Sequence, residues 1–368
     1  MVFIVAGTYD RGLFGATLDE ESASMETVFA YAPHSAALRT VASSRSGGFL
    51  VSGSNDESLR VYGLPEKREL GVLLQQVGGI YTAAFFGDQH LLTGAGDGTV
   101  AVWRCRDWEC LTVMKGHGSP VVSIDVHPTG KLAISVGRDG GLRLWDLVKG
   151  RCVWRGKVRE TEIEAKYDEP TAVAWAGKYF VVAIGPVVIV RDSSNNEIVS
   201  RLKHPKRVGG LCVLDDGRLA TGCGDGIVRL YDVDAAKCVA ELAGAHDTRV
   251  RNVLPIDGGR LLVSASSDGR IVVWDVAKGE ELCRMESAGR ITCLAVSAAS
   301  PEGEGEGEAA AAAAAAADDA ETTPKKKSAS SKKKARKKAS AKKKKQAAAA
   351  ADEADAGEGT TPKRARFA

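Results

Sequence analysis

The chain has 368 residues, 44% of them hydrophobic, with 50 Lys and Arg against 47 Asp and Glu. Its longest apolar run, Tyr179 to Val190, is broken at Gly185-Pro186 and is too short for a membrane-spanning helix. The opening MVFIVAGTYD lacks a basic region and reaches a turn too early for a signal peptide. Charge is uneven: from Ser300 onward there are 16 Lys and Arg against 11 Asp and Glu, and before it 34 against 36.

Val2 to Ala6 and Leu13 to Leu18 read as two strands around a turn at Tyr9-Asp10. Three similar units follow, over 26–74, 75–114 and 115–156. The clearest runs from Gly116 to Leu147: a Gly-His pair, an apolar run, a turn at His127-Pro128-Thr129-Gly130, and a second apolar run. A turn at Arg138 to Gly141 then leads into a third run ending Trp145-Asp146. Short β-rich runs between Gly, Asp and Pro turns predict antiparallel hairpins. One such sheet leaves both faces open, so copies are expected to stack. After a charged insertion, Lys157 to Tyr167, comes a degenerate unit. There Asp168-Glu169-Pro170 stands in for Gly-His, and Val187 to Val190 forms a third strand without Trp. Units at 203–242 and 243–286 regain the strong pattern. Arg290 to Val296 reads as a first strand with no partners after it, complementing the opening pair, which lacks a first strand.

The repeats share one spacing. Turn aspartates recur as Asp10, Asp56, Asp97, Asp139, Asp225 and Asp268, with steps of 46, 41, 42, 86 and 43. Six positions after five of them stand Tyr62, Trp103, Trp145, Tyr231 and Trp274; four before the same five stand Ser52, Thr93, Ser135, Thr221 and Ser264. His34, His117, His204 and His246 precede four of them by 21 or 22 positions. A period near 43 with GH and WD marks predicts an all-β, seven-bladed WD40 β-propeller over 1–298, closed by strands from both termini. Such closure leaves no free sheet edge.

A recurring His, Ser and Asp set invites comparison with a hydrolase triad, but a triad occurs once, with its serine exposed. Here the set repeats with its hydroxyl inside a strand. It is therefore expected to satisfy buried polar groups, tying an outer-strand aromatic to the inner strands through an Asp that bonds His and turn amides. No phosphate loop or metal spacing is present, so neither an enzyme nor a cofactor is expected. The eight cysteines lack CxxC pairing; they read as small apolar side chains in a reducing compartment.

The segment 299–368 changes character. Glu alternates with Gly from Glu302 to Glu308, alanine fills 309–317, and basic blocks follow. These are Lys325, Lys326 and Lys327; Lys332, Lys333, Lys334, Arg336, Lys337 and Lys338; and Lys342, Lys343, Lys344 and Lys345. Low apolar content and like-charge blocks predict a disordered tail. Its lysines suit nuclear and nucleolar targeting and rRNA contact through phosphate neutralisation; a solubilising extension is the alternative. On the propeller, Arg207, Arg249 and Arg290 each stand just before an innermost strand, in three neighbouring blades. The equivalent places in blades three and four hold Gly79 and Pro120. This one-sided arc suits rRNA phosphate or an acidic peptide.

Several stretches resemble one family. They are Ala6 to Gly15 (AGTYDRGLFG), Ser52 to Glu57, Trp108 to Leu111, His127 to Gly137, Leu144 to Arg151 and Ser264 to Gly269. They look like the p21-activated kinase-interacting protein 1 family, including its fungal counterparts in 60S ribosomal subunit biogenesis. The resemblance implies a nucleolar scaffold whose partners are pre-60S ribosomal proteins and assembly factors. In animal relatives it also implies a negative regulator of a p21-activated kinase. A cytosolic or nuclear adaptor that inhibits a kinase is the alternative, and no membrane association is expected.

Overall fold

The computed structural model describes residues 2–158, 169–287 and 289–298. They form seven four-stranded antiparallel sheets, each a meander whose strands pair in order from the axis outward. The innermost strands are Leu38–Ser43, Ile80–Phe86, Val121–Val126, Pro170–Ala176, Val208–Val213, Val250–Ile256 and Ile291–Ala298. Each packs against the next, and Ile291–Ala298 packs against Leu38–Ser43, so the ring closes.

The closing blade joins the two ends of the described chain. Val2–Thr8 pairs antiparallel with Ile291–Ala298 on one side, with Ile4 opposite Val296, and with Leu13–Asp19 on the other. Ser24–Tyr31 completes this first blade as its outermost strand. The second blade therefore begins at Leu38 rather than near residue 26; the hydrophobic repeat crosses the blade boundary because each outer strand leads straight into the next inner one.

Burial explains the composition of each strand position. The second strand of a blade is covered by a neighbouring blade on both faces: Leu261–Ser266 is buried at every residue. The outermost strand alternates, as Arg151–Lys157 does between exposed and half-buried positions. Seven apolar clusters fill the interfaces, one between each adjacent pair of blades. Gly226 shows how tight these interfaces are. Its φ is +87°, and a Cβ there would lie 2.5 Å from the His246 carbonyl oxygen of the next blade.

The repeated aromatic sits on the third strand, not the outermost one: Trp103 lies in Thr99–Arg104 and Trp145 in Gly141–Asp146. At this point the register to the outer strand shifts in all seven blades, for example between Leu144 and Trp145. The bulge lets a large ring turn into the blade interface, where the fully enclosed Trp145 packs with Leu92 and Val121. In the degenerate fifth blade this place holds Arg191, and Val182 replaces the strand hydroxyl. The carbonyls of Gly185 and Pro186 there accept the amides of Val208 and His204 of blade six, linking the two blades without an aspartate.

Candidate functional site

In blade two the polar set is complete. His34 Nε2 lies 2.7 Å from Ser52 Oγ, which in turn lies 3.0 Å from the Tyr62 hydroxyl. His34 Nδ1 lies 3.0 Å from Asp56 Oδ2, and the carboxylate also accepts the amides of Ser35 and Ser58. Burial pushes Asp56 upward, but the Ser58 hydroxyl, these two amides and His34 outweigh it and hold the carboxyl at about 2.

The other blades keep the His–hydroxyl link and vary the carboxylate. His117 and His246 lie 2.7 Å from Ser135 and Ser264, which accept the indole N–H of Trp145 and Trp274 at 2.8 Å. His204 lies 2.9 Å from Thr221 Oγ1, with the Tyr231 ring centroid 5.1 Å from its own. The Asp–His bond expected in every blade is not the general arrangement. Asp139 accepts Ser119 Oγ at 2.7 Å, Asp225 pairs with Arg229 at 2.8 Å, and Asp268 stands 3.9 Å from His246. A nearby hydroxyl or guanidinium offers the carboxylate a better donor than a buried neutral ring. Burial lowers the pKa of all four histidines, that of His117 to about 4, with Arg143 adding to the effect and Asp139 opposing it.

Blade three has no histidine at this position, and Gln76 takes its place. Gln76 Oε1 accepts the Thr93 hydroxyl at 2.5 Å, its Nε2 donates to Thr99, and Thr93 accepts the Trp103 indole at 2.9 Å. Asp97 accepts the amides of Thr99 and Val77. Gln76 stands 21 positions before Asp97, the histidine's own offset; only the side chain's identity concealed it.

The second distinctive region is the axial cavity, about 570 Å³, lined by all seven innermost strands. The first residue of each of these strands is buried, among them Leu38, Ile80, Val250 and Ile291. Alternation then turns the second residue to the channel: Arg39, Tyr81, Val122, Thr171, Gly209, Arg251 and Thr292 all line it.

Around this mouth Arg207 and Arg249 are exposed, and the structure adds Arg39 and Arg251, which line the cavity, and Arg138, which shares the Tyr81 ring with Arg39. Ser267 Oγ accepts Arg249 Nε at 3.2 Å and Arg251 Nε at 3.0 Å. Arg39 donates through Nε to Asn55 at 2.8 Å. Arg39 and Arg138 flank the Tyr81 ring at 5.4 and 5.5 Å from its centroid. Arg290 is exposed in the matching position before Ile291 and lies over Tyr9, 5.7 Å from the ring centroid. Arg251 loses basicity to burial and to the like charges of Arg207 and Arg39. Among the described residues the one carboxylate within ion-pair range of these arginines is Glu169, 3.8 Å from Arg138. The basic blocks from Lys325 to Lys345 lie outside the described residues.

Comparison with known proteins agrees with this architecture. The WD domain, G-beta repeat, matches residues 25–63, 68–104, 108–146, 196–232 and 236–275; the gap at 147–195 holds the first three strands of the fifth blade, which has lost its Asp and Trp. A Xenopus laevis protein named p21-activated protein kinase-interacting protein 1-like is 34% identical over 312 residues, 82% of each chain. Protein MAK11 of Saccharomyces cerevisiae is 28% identical over 354 residues, covering 81% of this chain and 84% of its own. Shk1 kinase-binding protein 15 of Schizosaccharomyces pombe is 27% identical over 311 residues, covering 83% and 86%. With its blades, its repeat spacing and these likenesses over most of its length, the chain belongs to the WD40-repeat family of p21-activated protein kinase-interacting protein 1.

Proposed function

We propose that this protein is a non-catalytic scaffold that acts in nucleolar assembly of the 60S ribosomal subunit and docks pre-60S proteins on the arginine-lined face. The observation that carries the reading is the mouth itself, where fixed guanidinium groups converge with a single carboxylate among the described residues beside them. Such a surface suits anionic partners, since opposed potentials steer encounter and fix register. The lysine blocks of 325–345 add a second, sequence-independent attraction to rRNA, and provide nuclear and nucleolar targeting. The segment 299–368 is on this reading a disordered appendage that leaves the propeller's stability untouched.

A second reading is regulation of a p21-activated kinase by the same face, favoured by the kinase-interacting names of the Xenopus laevis and Schizosaccharomyces pombe relatives. The test is imaging and gradient sedimentation of the tagged full chain, a chain ending at Ala298, and an Arg207/Arg249/Arg251→Glu variant. Co-sedimentation of the full chain with pre-60S particles, reduced in the Glu variant, supports the scaffold. Association with a p21-activated kinase, and none with pre-60S particles, replaces it with the second reading.

A further inference from the structure

Arg39, Arg207 and Arg251 come from blades two, six and seven and gather around the mouth, where the charges of Arg207 and Arg39 both bear on Arg251. Arg39 and Arg251 line the cavity directly. Among the described residues none of the three has a carboxylate within ion-pair distance. Their heads are nevertheless fixed: Asn55 holds Arg39 through Nε, Ser267 holds Arg251 through Nε, and the Glu169 carbonyl accepts from Arg207 Nη2 at 3.2 Å. The terminal nitrogens of Arg39 and Arg251 stay available for a ligand. Beside Arg251, the matching position on the neighbouring innermost strand is Gly209, so no side chain covers it.

We propose that this recess binds a phosphorylated side chain projecting from an extended polypeptide. The inference rests on the reading of this face as the docking surface and specifies its chemistry. A single carboxylate occupies one guanidinium in a bidentate pair; three convergent guanidinium groups match a group with about two negative charges and three acceptor oxygens. The recess sits on the axis inside a ring of loops, which admits one projecting group. An RNA strand presents phosphates in series and suits an open track. Tyr81, held between Arg39 and Arg138, forms one wall.

The experiment measures binding of the full-length protein to fluorescent degenerate peptide libraries whose fixed central residue is phosphoserine, serine or glutamate. A single-stranded RNA oligonucleotide serves as a fourth probe. The lysine blocks give all variants the same background, so the readout is the difference between proteins. The parent is expected to prefer the phosphoserine library over the serine and glutamate libraries by at least about tenfold. Arg251→Ala and Arg39→Ala should each remove most of that preference while melting as the parent does. Arg270→Ala, whose guanidinium pairs with Asp247 and Glu286, should leave it intact. Equal affinity for the three libraries overturns the proposal, as does parental behaviour of both mouth variants. RNA binding that those substitutions abolish, without a phosphopeptide preference, also overturns it and reassigns the mouth to nucleic acid. A parent protein that associates with pre-60S particles but shows no phosphoserine preference would sink this inference alone and leave the scaffold reading standing.

Discussion

Gln76 Oε1 accepts the Thr93 hydroxyl at 2.5 Å in the place where four other blades set a histidine against Ser or Thr. The amide performs the histidine's hydrogen-bonding task without its titration. One blade is therefore insensitive to pH at a point where four are not.

That difference yields a pH prediction. His117 has a folded pKa of about 4 because burial and Arg143 disfavour its charge, whereas an unfolded histidine titrates near ~6.5. Between those values the unfolded chain binds more protons, so stability rises with pH; the contribution is complete above ~6.5 and is lost as pH falls toward 4. For His117 alone the loss approaches about 3 kcal/mol at the acid end. His117→Gln should keep the bond to Ser135, and its melting temperature should drop less than the parent's between pH 7.5 and 5. Parallel pH curves for the two proteins would refute this.

Asp56 is the most fully engaged of the turn carboxylates, bonded to His34, two amides and the Ser58 hydroxyl. Asp56→Ala strands all four donors and should cost about 1–3 kcal/mol in denaturant unfolding. Its folded pKa of about 2 lies below the ordinary carboxylate value, so its contribution is present above ~4 and is lost as pH falls toward 2. An Asp56→Ala melt that overlays the parent would show that the hydrogen bonds carry no net stability.

Closure depends on the strand Ile291–Ala298. Ile291 is fully buried, and the Thr292 hydroxyl donates to the carbonyls of Gly7 and Leu38, joining its own blade to the next. A chain ending at Arg290 should lose its cooperative melt and elute as aggregate, since Val2–Thr8 would become an open edge. A chain ending at Ala298 should melt as the full protein does. Two identical sharp transitions would overturn the closure argument.

Gly226 tests blade-to-blade packing rather than hydrogen bonding. Gly226→Ala combines a φ of +87° with a Cβ 2.5 Å from the His246 carbonyl oxygen. It should destabilise by more than about 1 kcal/mol. Ala at Gly217, which has a φ of +85° and nothing near its Cβ, separates the two effects: it carries the backbone strain alone and should cost less. Equal losses would assign the whole penalty to φ.

The sequence alone determined the blade count, because the unit repeats with a period near 43 and repetition makes a weak local signal unmistakable, and the closure, because the strand fragments at 2–18 and 290–296 complete one blade. It also placed Arg207 and Arg249 beside innermost strands, since a turn followed by an apolar run marks a strand start. It could not say how each aspartate spends its hydrogen bonds. Asp139 turns to Ser119 and Asp225 to Arg229, and those choices depend on ångström distances across a turn. Nor could it bring Arg39 to Arg251, more than 200 residues away along the chain. Ring closure sets their strands around one axis, and strand alternation turns both side chains into the channel. The convergence of charge at that mouth is a property of the closed ring and of no single repeat.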